Sequence, residues 1–400
     1  LFLFEEEFPF AATEDQLNAT AAIKGDMQSE KAMDRLICGD VGYGKTEVAM
    51  RAAFKAVIDG GKQVALLVPT TVLAMQHFET FKERMANFPI TVGVASRFIK
   101  PKALKETLEK TRLGSVDILI GTHRLISKDV GFKNLGLIII DEEQRFGVRV
   151  KEHLKKLKIG VDSLTLSATP IPRTLYFSLV GARDMSVINT PPQDRLPIKT
   201  ILAERESELI KNALLRELAR DGQAYFIHNR VESIYRVTEE IEKLVPAAKV
   251  ATVHGQMPAE SIDSIFQAFK DGETDILVAT TIIESGVDIP NANTILIDRA
   301  DAYGMADLYQ LRGRVGRWSR PAYAYFLVPQ NRELAEISRK RLSALVETSG
   351  FGGGMKLAMR DLEIRGAGDL LGVQQSGNVS AIGFHFYCKL LKRTIQTMQK

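Results

Sequence analysis

Cysteine is almost missing from this 400-residue chain: Cys38 and Cys388 are the only two. Two thiols so far apart, each among apolar neighbours, make no metal-ligand spacing and no disulfide framework. They point to a reducing, cytoplasmic compartment. Long apolar runs are missing too. Nothing approaches the ~18–20 residues of a membrane span and no signal peptide opens the chain, so no membrane partner is expected. Charge of one sign is scarce, with a net of only +4. Any nucleic-acid surface must then be a local track rather than a whole basic face. Low-complexity segments and short-period repeats are also lacking. What is present is ordinary for a soluble globular protein, 45% apolar and 26% charged. Four hundred residues exceed one core and suggest two domains, or two and an appendage. The chain opens at Leu1 without methionine and reads as part of something longer.

The stretch Leu36–Glu47, LICGDVGYGKTE, organises the rest. Gly39, Gly44, Lys45 and Thr46 fit G-x-x-x-x-G-K-[ST], with an apolar lead-in at Leu36–Cys38 and a helix-like run from Glu47 to Ala56. A strand delivers such a loop, and the following helix aims its free N–H groups at phosphates. The loop residues Gly39, Asp40, Val41, Gly42, Tyr43 and Gly44 would form a nest of amides. Lys45 would reach the terminal phosphates, Thr46 would hold Mg2+, and Glu47 would join the nucleotide contacts. The ligand expected is a nucleoside triphosphate. Upstream, Thr13-Glu14-Asp15-Gln16 has the form of an N-cap opening a helix, preceded by Phe10. Phe10 could stack on adenine while the Gln16 amide both donates and accepts along the base edge, which makes ATP the expected nucleotide.

Beyond the loop the chain alternates apolar strands with helices. Each strand ends in polar residues: Pro69-Thr70-Thr71, Ser96-Arg97, Gly121-Thr122-His123, Asp141-Glu142-Glu143-Gln144 and Ser167-Ala168-Thr169. That describes a doubly wound parallel α/β sheet with its site along one edge. Asp141, at a strand end, would bind magnesium, and Glu142 would orient and deprotonate the attacking water. Ile188–Pro197, INTPPQDRLP, is proline-rich and aperiodic, and reads as a linker. The α/β pattern then restarts without a phosphate loop. Gly313-Arg314-Val315-Gly316-Arg317 places two arginines three apart, expected to leave a helix on one face and to neutralise phosphoryl charge. The glycine-studded tail from Gly350 to Gly377 reads as a helix, a sharp turn and a functional loop, with an amphipathic helix resuming from Ala381 to Gln399.

The ordered series GDVGYGKT, PTT, GTH, DEEQ, SAT, TTIIESGVDIP and QLRGRVGR resembles the motifs of superfamily 2 helicases over nearly the whole chain. The tail RDLEIRGAGDLLGVQQSG is similar to the translocation motif shared by the RecG/Mfd group of duplex-DNA motors. GDVGYGKTEVAM, DEEQRFGV, RADAYG and IRGAGDLLG look more like its transcription-repair coupling branch, the Mfd family, than its RecG branch. The resemblance implies two tandem RecA-like lobes, 1–189 and 199–345, a linker at 190–198 and a helical and loop translocation motif from 346 to 400.

It also implies residue roles. Gly286 and Asp288 would close the nucleotide site, and Arg314 and Arg317 would sense phosphate. Thr70, Thr71, Arg97, Thr122, His123, Asn229, Arg230, His254, Thr280 and Thr281 would line a DNA backbone track, chemistry that suits sequence-independent contacts. Gln310, Arg360, Arg365 and Gln375 would couple the ATP cycle to movement. The implied function is an ATP-dependent, double-stranded DNA translocase of transcription-coupled repair. It would displace stalled RNA polymerase and engage the excision-repair protein UvrA through segments outside this sequence. RecG-like remodelling of branched DNA and an ATP-gated clamp without turnover are the alternatives. Intact Glu142, Arg314 and Arg317 argue against the clamp.

Overall fold

Apolar runs without alternation belong to strands covered on both faces, because parallel sheets bury both sides. The computed structural model describes residues 1–97, 99–169, 183–192, 196–281, 289–316, 320–331, 333–348, 350 and 352–365. The described residues up to Pro192 form one compact unit, and those from 196 to 365 form another.

The first unit holds β1 (Asp34–Gly39), β2 (Gln63–Leu67), β3 (Val92–Ala95), β4 (Ile118–Gly121), β5 (Leu135–Asp141), β6 (Asp162–Ser167) and β7 (Asp184–Ile188). All pair in parallel in the order β3-β4-β2-β5-β6-β1-β7. Its helices are α1 (Phe2–Glu6), α2 (Glu14–Asp26), α3 (Lys45–Ile58), α4 (Thr71–Arg84), α5 (Pro101–Leu113) and α6 (Val148–Leu157). The period of two along each strand divides the core. Leu137 and Ile139 join the cluster that includes Val48, Ala52 and Phe81 from α3 and α4. Ile138 and Ile140 join the opposite cluster, with Leu154 of α6 and Leu104 and Leu108 of α5 packed against it. These four β5 side chains are 0–2% exposed. Each contributes about 1.5–3 kcal/mol by burial, enough to enforce an apolar residue on both faces.

The second unit repeats the plan with β8 (Lys199–Glu204), β9 (Gln223–Ile227), β10 (Val250–Val253), β11 (Ile276–Ala279), β12 (Ala292–Ile297) and β13 (Tyr323–Val328). The order is β10-β11-β9-β12-β13-β8, again all parallel. Its helices are α7 (Ser207–Leu218), α8 (Val231–Leu244), α9 (Ala259–Lys270), α10 (Met305–Arg312), α11 (Glu336–Glu347) and α12 (Gly353–Arg365). The helix α12, where the tail begins, packs on α10 and α11, with Leu357 in the core of this unit.

Two expectations need correction. The linker does not begin at Ile188, which ends β7, pairs with Gly39 and is 1% exposed. Ile198 likewise belongs to the core of the second unit. The prolines of this stretch masked the apolar residues at its two ends. Arg314 does not leave a helix either: α10 ends at Arg312, and Arg314 lies in the turn after it, while Arg317 lies outside the described residues. That turn needs Gly316, whose φ is +71° and where a Cβ would come within 2.7 Å of Ile198 and 2.9 Å of Ala322. Glycine, not helical register, sets the direction of this segment.

Candidate nucleotide site and backbone track

Sheet order builds the site. β6 lies between β1 and β5, pairing Cys38 with Ser167 on one side and Asp141 with Leu166 on the other. Neighbouring strands are about 4.8 Å apart, so the ends of β1 and β5 stand only about 10 Å apart. The loop after β1 and the acids after β5, distant in sequence, therefore face each other across the end of β6.

Gly44 leaves the loop with φ +76° and caps α3, starting a 14-residue helix at Lys45. The positive φ calls for glycine here, and the Gln16 side chain fills the space beside it. A Cβ on Gly44 would sit 2.3 Å from Gln16 Nε2. Gln16 is 5% exposed. Its Nε2 donates to the Tyr43 carbonyl at 2.9 Å, and its Oε1 accepts from the Thr13 backbone N–H at 3.1 Å. The same amide thus closes the capping box of α2 and braces the phosphate loop. Phe10 is 69% exposed and meets Phe8 edge to face at 5.6 Å, so its ring is open to stack on a flat ligand.

Lys45 Nζ donates to the carbonyls of Gly39 at 2.6 Å and Asp40 at 2.9 Å. Burial lowers its pKa from the ordinary lysine value, against the pull of Glu142, Asp141 and Asp40. The three carboxylates lie close enough to act on the ammonium, which joins the two motifs electrostatically. Burial also pushes the Cys38 thiol, at the end of β1, up to about 12.

Asp141 closes β5, and Glu142 follows in the left-handed region at φ 53°. Such a backbone costs about 1–3 kcal/mol in a residue with a side chain and persists where its surroundings hold it. Here Glu142 Oε1 accepts from the Ala168 backbone N–H at 3.4 Å, and Glu142 Oε2 accepts from the Gln144 amide. Ser167 Oγ in turn donates to Gln144 Oε1 at 3.5 Å. The serine and alanine of the SAT stretch thereby aim the glutamate. Mg2+ is commonly held by one or two carboxylates with phosphate oxygens and water. Asp141, partly exposed at the strand end, and Thr46, on the first turn of α3, fit that donor set.

Three side chains in this region gave no sequence signal. His77, on α4, lies 3.0 Å from Asp141 through Nε2. The carboxylate can only accept, so Nε2 carries the proton and fixes the orientation of Asp141. Arg183 reaches Glu143 at 3.3 Å and Asp34 at 3.0 Å, tying the acidic loop to the start of β1. Asp15 accepts from the backbone N–H groups of Asn189 and Thr190 and from the Thr190 hydroxyl, at 2.8–2.9 Å. All three are long-range contacts, invisible to local pattern. Glu47 departs from its expected place among nucleotide contacts. Its carboxylate is buried with Arg51 at 2.9 Å and Arg84 at 3.2 Å, inside the unit.

The residues expected on a backbone track gather on the other half of each sheet. Thr70 and Thr71 follow β2, Arg97 follows β3, and Thr122 and His123 follow β4, three adjacent strands. In the second unit Asn229 and Arg230 follow β9, His254 follows β10, and Thr280 and Thr281 follow β11, again three neighbours. Thr281 Oγ1 and Asn229 Oδ1 are 3.4 Å apart. His123, Asn229, Arg230 and Arg97 are exposed, whereas Thr71, Thr122, Thr280 and His254 are buried. The Thr70 hydroxyl caps α4 by accepting from Leu73 N–H. His254 holds Tyr235 at 3.1 Å. Arg314 and Gln310 are buried in the second unit, and Arg360 is exposed and paired with Glu363 at 3.0 Å. Gly286, Asp288, Arg317 and Gln375 lie outside the described residues, as does the side chain of Arg365.

Comparison with known proteins identifies the two units. The DEAD/DEAH box helicase family matches residues 13–176, and the helicase conserved C-terminal domain matches residues 206–319. The transcription-repair-coupling factor of Bacillus subtilis is 57% identical over 393 residues, covering 98% of this chain and 33% of that protein. Its Staphylococcus haemolyticus counterpart is 56% identical over 392 residues, with 98% and 33% covered. The chain thus spans about a third of the length of the curated relatives it matches. Among solved structures, RecG bound to a three-way DNA junction aligns with a TM-score of 0.76 at 35% identity, over 98% of this chain and 52% of that one. Dbp5 of S. cerevisiae, bound to RNA and ADP BeF3, aligns with a TM-score of 0.62 at 17% identity over 86% of this chain and 92% of that one, a likeness of fold alone. Two parallel-sheet lobes of the RecA-like helicase type, matched in order by both halves of a helicase motor, place the sequence: the chain belongs to the superfamily 2 helicases, in the group that includes RecG and the transcription-repair coupling factors.

Proposed function

We propose that this motor core hydrolyses ATP to move along double-stranded DNA. The observation that carries the reading is the meeting of Lys45, Asp141 and Glu142 at one sheet edge, within a sequence 57% identical to a transcription-repair-coupling factor. Thr46 and Asp141 would hold Mg2+, which when bound supplies neutralising charge to the phosphates. Lys45 binds the terminal phosphates, the loop amides orient them, and Glu142 accepts a proton from the attacking water. Phe10 stacks on adenine, and Gln16, already bonded to Tyr43 and Thr13, offers its remaining N–H and lone pair to the base edge. Arg314 and Arg317, with Gly286 and Asp288, complete hydrolysis. The two threonine-rich edges carry DNA phosphates without reading bases. Gln310, Arg360, Arg365 and Gln375 convert hydrolysis into movement. In a longer protein of this group, such a motor displaces stalled RNA polymerase and works with UvrA in repair.

The test is steady-state ATP turnover with no DNA, with single strands, and with linear duplexes of increasing length. Turnover that requires duplex and rises with length before levelling off supports a motor on double-stranded DNA. A second reading, remodelling of branched DNA, draws on the likeness to junction-bound RecG. Branched substrates that outperform long linear duplexes would favour it. Arg365→Ala is expected to reduce movement more than hydrolysis, and equal loss of both would sink the coupling role of the tail.

A further inference from the structure

The chain is nearly neutral as a whole, with a net charge of +4, but not locally. From Arg145 to Lys158 it carries six lysines and arginines against Glu152 alone, a local net of +5 that exceeds that of the entire chain. The structure shows how this charge is presented. Val150 and Leu154 turn the apolar side of α6 into the core of the first unit, beside Leu125, Ile126 and Phe146. The opposite side faces outward: Arg149, His153 and Lys156 are exposed and share one stripe by their spacing, and exposed Lys155 lies on the stripe beside it. Lys158 is spent on Asp34 at 3.7 Å, but Arg149, Lys151, Lys155 and Lys156 make no ion pair among the described residues. A helix laced with internal pairs looks different, as α5 shows with Lys110–Glu106 and Arg112–Glu109. Lys151 and Lys155 are like charges at i,i+4, and Glu152 is the single opposing charge on the outward side, so the helix presents a net positive face.

The helix also has a telling neighbour. It packs against the short 3₁₀ turn His123–Ile126, which begins with one of the expected backbone-track residues. We infer that α6 extends the track of the first unit, with Arg149, Lys151, Lys155 and Lys156 contacting the phosphate backbone of duplex DNA beyond Thr122 and His123. From Arg149 to Lys156 the helix rises about 10 Å, the span of about three base pairs. The contacts are to phosphates and carry no sequence preference. This rests on the double-stranded DNA reading above.

The experiment compares the chain with its Arg149→Gln/Lys155→Gln/Lys156→Gln variant, titrating a fluorescent duplex by anisotropy across a series of KCl concentrations. Each phosphate contact contributes about −0.9 to the slope of log affinity against log salt. The variant is expected to bind ~10–100-fold more weakly at low salt and to lose about two to three from the magnitude of that slope, with ATP affinity in the absence of DNA unchanged. A salt-dependent parent whose slope the variant reproduces overturns the role of α6 alone. A parent that does not bind duplex at all overturns the motor reading and this inference with it. A variant that keeps its duplex slope but loses binding to polyglutamate would assign the surface to an acidic protein partner and overturn the inference.

Discussion

The two units end their central strands in the same way and use the ending differently. In the first, β5 finishes at Asp141, Glu142 turns left-handed at φ 53°, and a 3₁₀ turn Glu143–Arg145 follows. In the second, β12 leads to Asp298, Arg299 turns left-handed at φ 53°, and a 3₁₀ turn Ala300–Ala302 follows. Each aspartate meets a histidine: Asp141 meets His77 at 3.0 Å and Asp298 meets His228 at 2.7 Å. Here the likeness stops. Asp298 is also paired with Arg205 at 3.3 Å, and His228 continues to Ser233 at 2.7 Å, a network closed within the unit. Asp141 pairs with no arginine among the described residues; its charge acts on Lys45 of the phosphate loop, and its neighbour is a glutamate where the second unit has arginine. One backbone corner thus stands beside the phosphate loop in one unit and closes a brace in the other. What distinguishes them is which partners the sheet supplies, not the corner itself.

The comparison is broken most sharply at the catalytic side. Lys45→Ala should leave the fold intact and reduce ATP turnover by at least ~10²-fold; Glu142→Gln should reduce it by ~10²–10⁴-fold while Mg-ATP still binds. Circular dichroism and turnover measured together check this, and retained turnover in either variant would mean the loop or the acid is misassigned. Arg299→Gln, at the equivalent corner, should cost no more than about 1 kcal/mol, because its pair with Asp301 is still partly open to solvent on the arginine side.

The brace should fail in the opposite sense. Asp298→Ala takes the carboxylate from buried His228, while the partly exposed Arg205 keeps Glu240 at 2.7 Å, and should destabilise the second unit by about 1–3 kcal/mol. Asp141→Asn should change stability little and instead raise the Mg2+ concentration needed for nucleotide binding. Thermal melts and a magnesium titration of a fluorescent ATP analogue separate the two outcomes.

A smaller effect concerns Asp15. Burial works against its charge, but hydrogen bonds from Thr190 and Asn189 outweigh this and hold its carboxyl below the ordinary value. A carboxylate depressed in the folded state contributes stability above its unfolded pKa of about 3.9, and that contribution is lost as pH falls through the lower folded value. Asp15→Asn should therefore flatten the acid limb of the first unit's stability curve, as read by denaturant melts between pH 2 and 6. The smallest perturbation is chemical. With its pKa near 12, Cys38 should be thiolate in only about one part in 10⁴ at pH 8 and resist iodoacetamide in the native chain. Peptide mapping before and after unfolding measures that directly.

Much of the site was legible in order along the chain because its chemistry is concentrated in short loops at strand ends. GDVGYGKT, DEEQ and SAT each carry their residue types in a few consecutive positions, and the structure gathers them on three adjacent strands. The strands β7 and β8 escaped notice because a proline-rich stretch lies between them and their own patterns are short. Glu47 was misplaced because a loop motif does not say which way the next side chain points.

By itself the sequence determined the alternation of apolar and polar segments, the phosphate-binding loop with its glycines, and the carboxylates at strand ends. These are local properties, set by backbone sterics, hydrogen-bonding valence and burial period. Only the tertiary structure decided that β6 separates β1 from β5, that His77 holds Asp141, and that Gln16 braces Tyr43. It alone decided that Asp298 is locked by Arg205 while the charge of Asp141 acts on a lysine. Strand order and distant contacts depend on the joint packing of many side chains, and no window of sequence contains them.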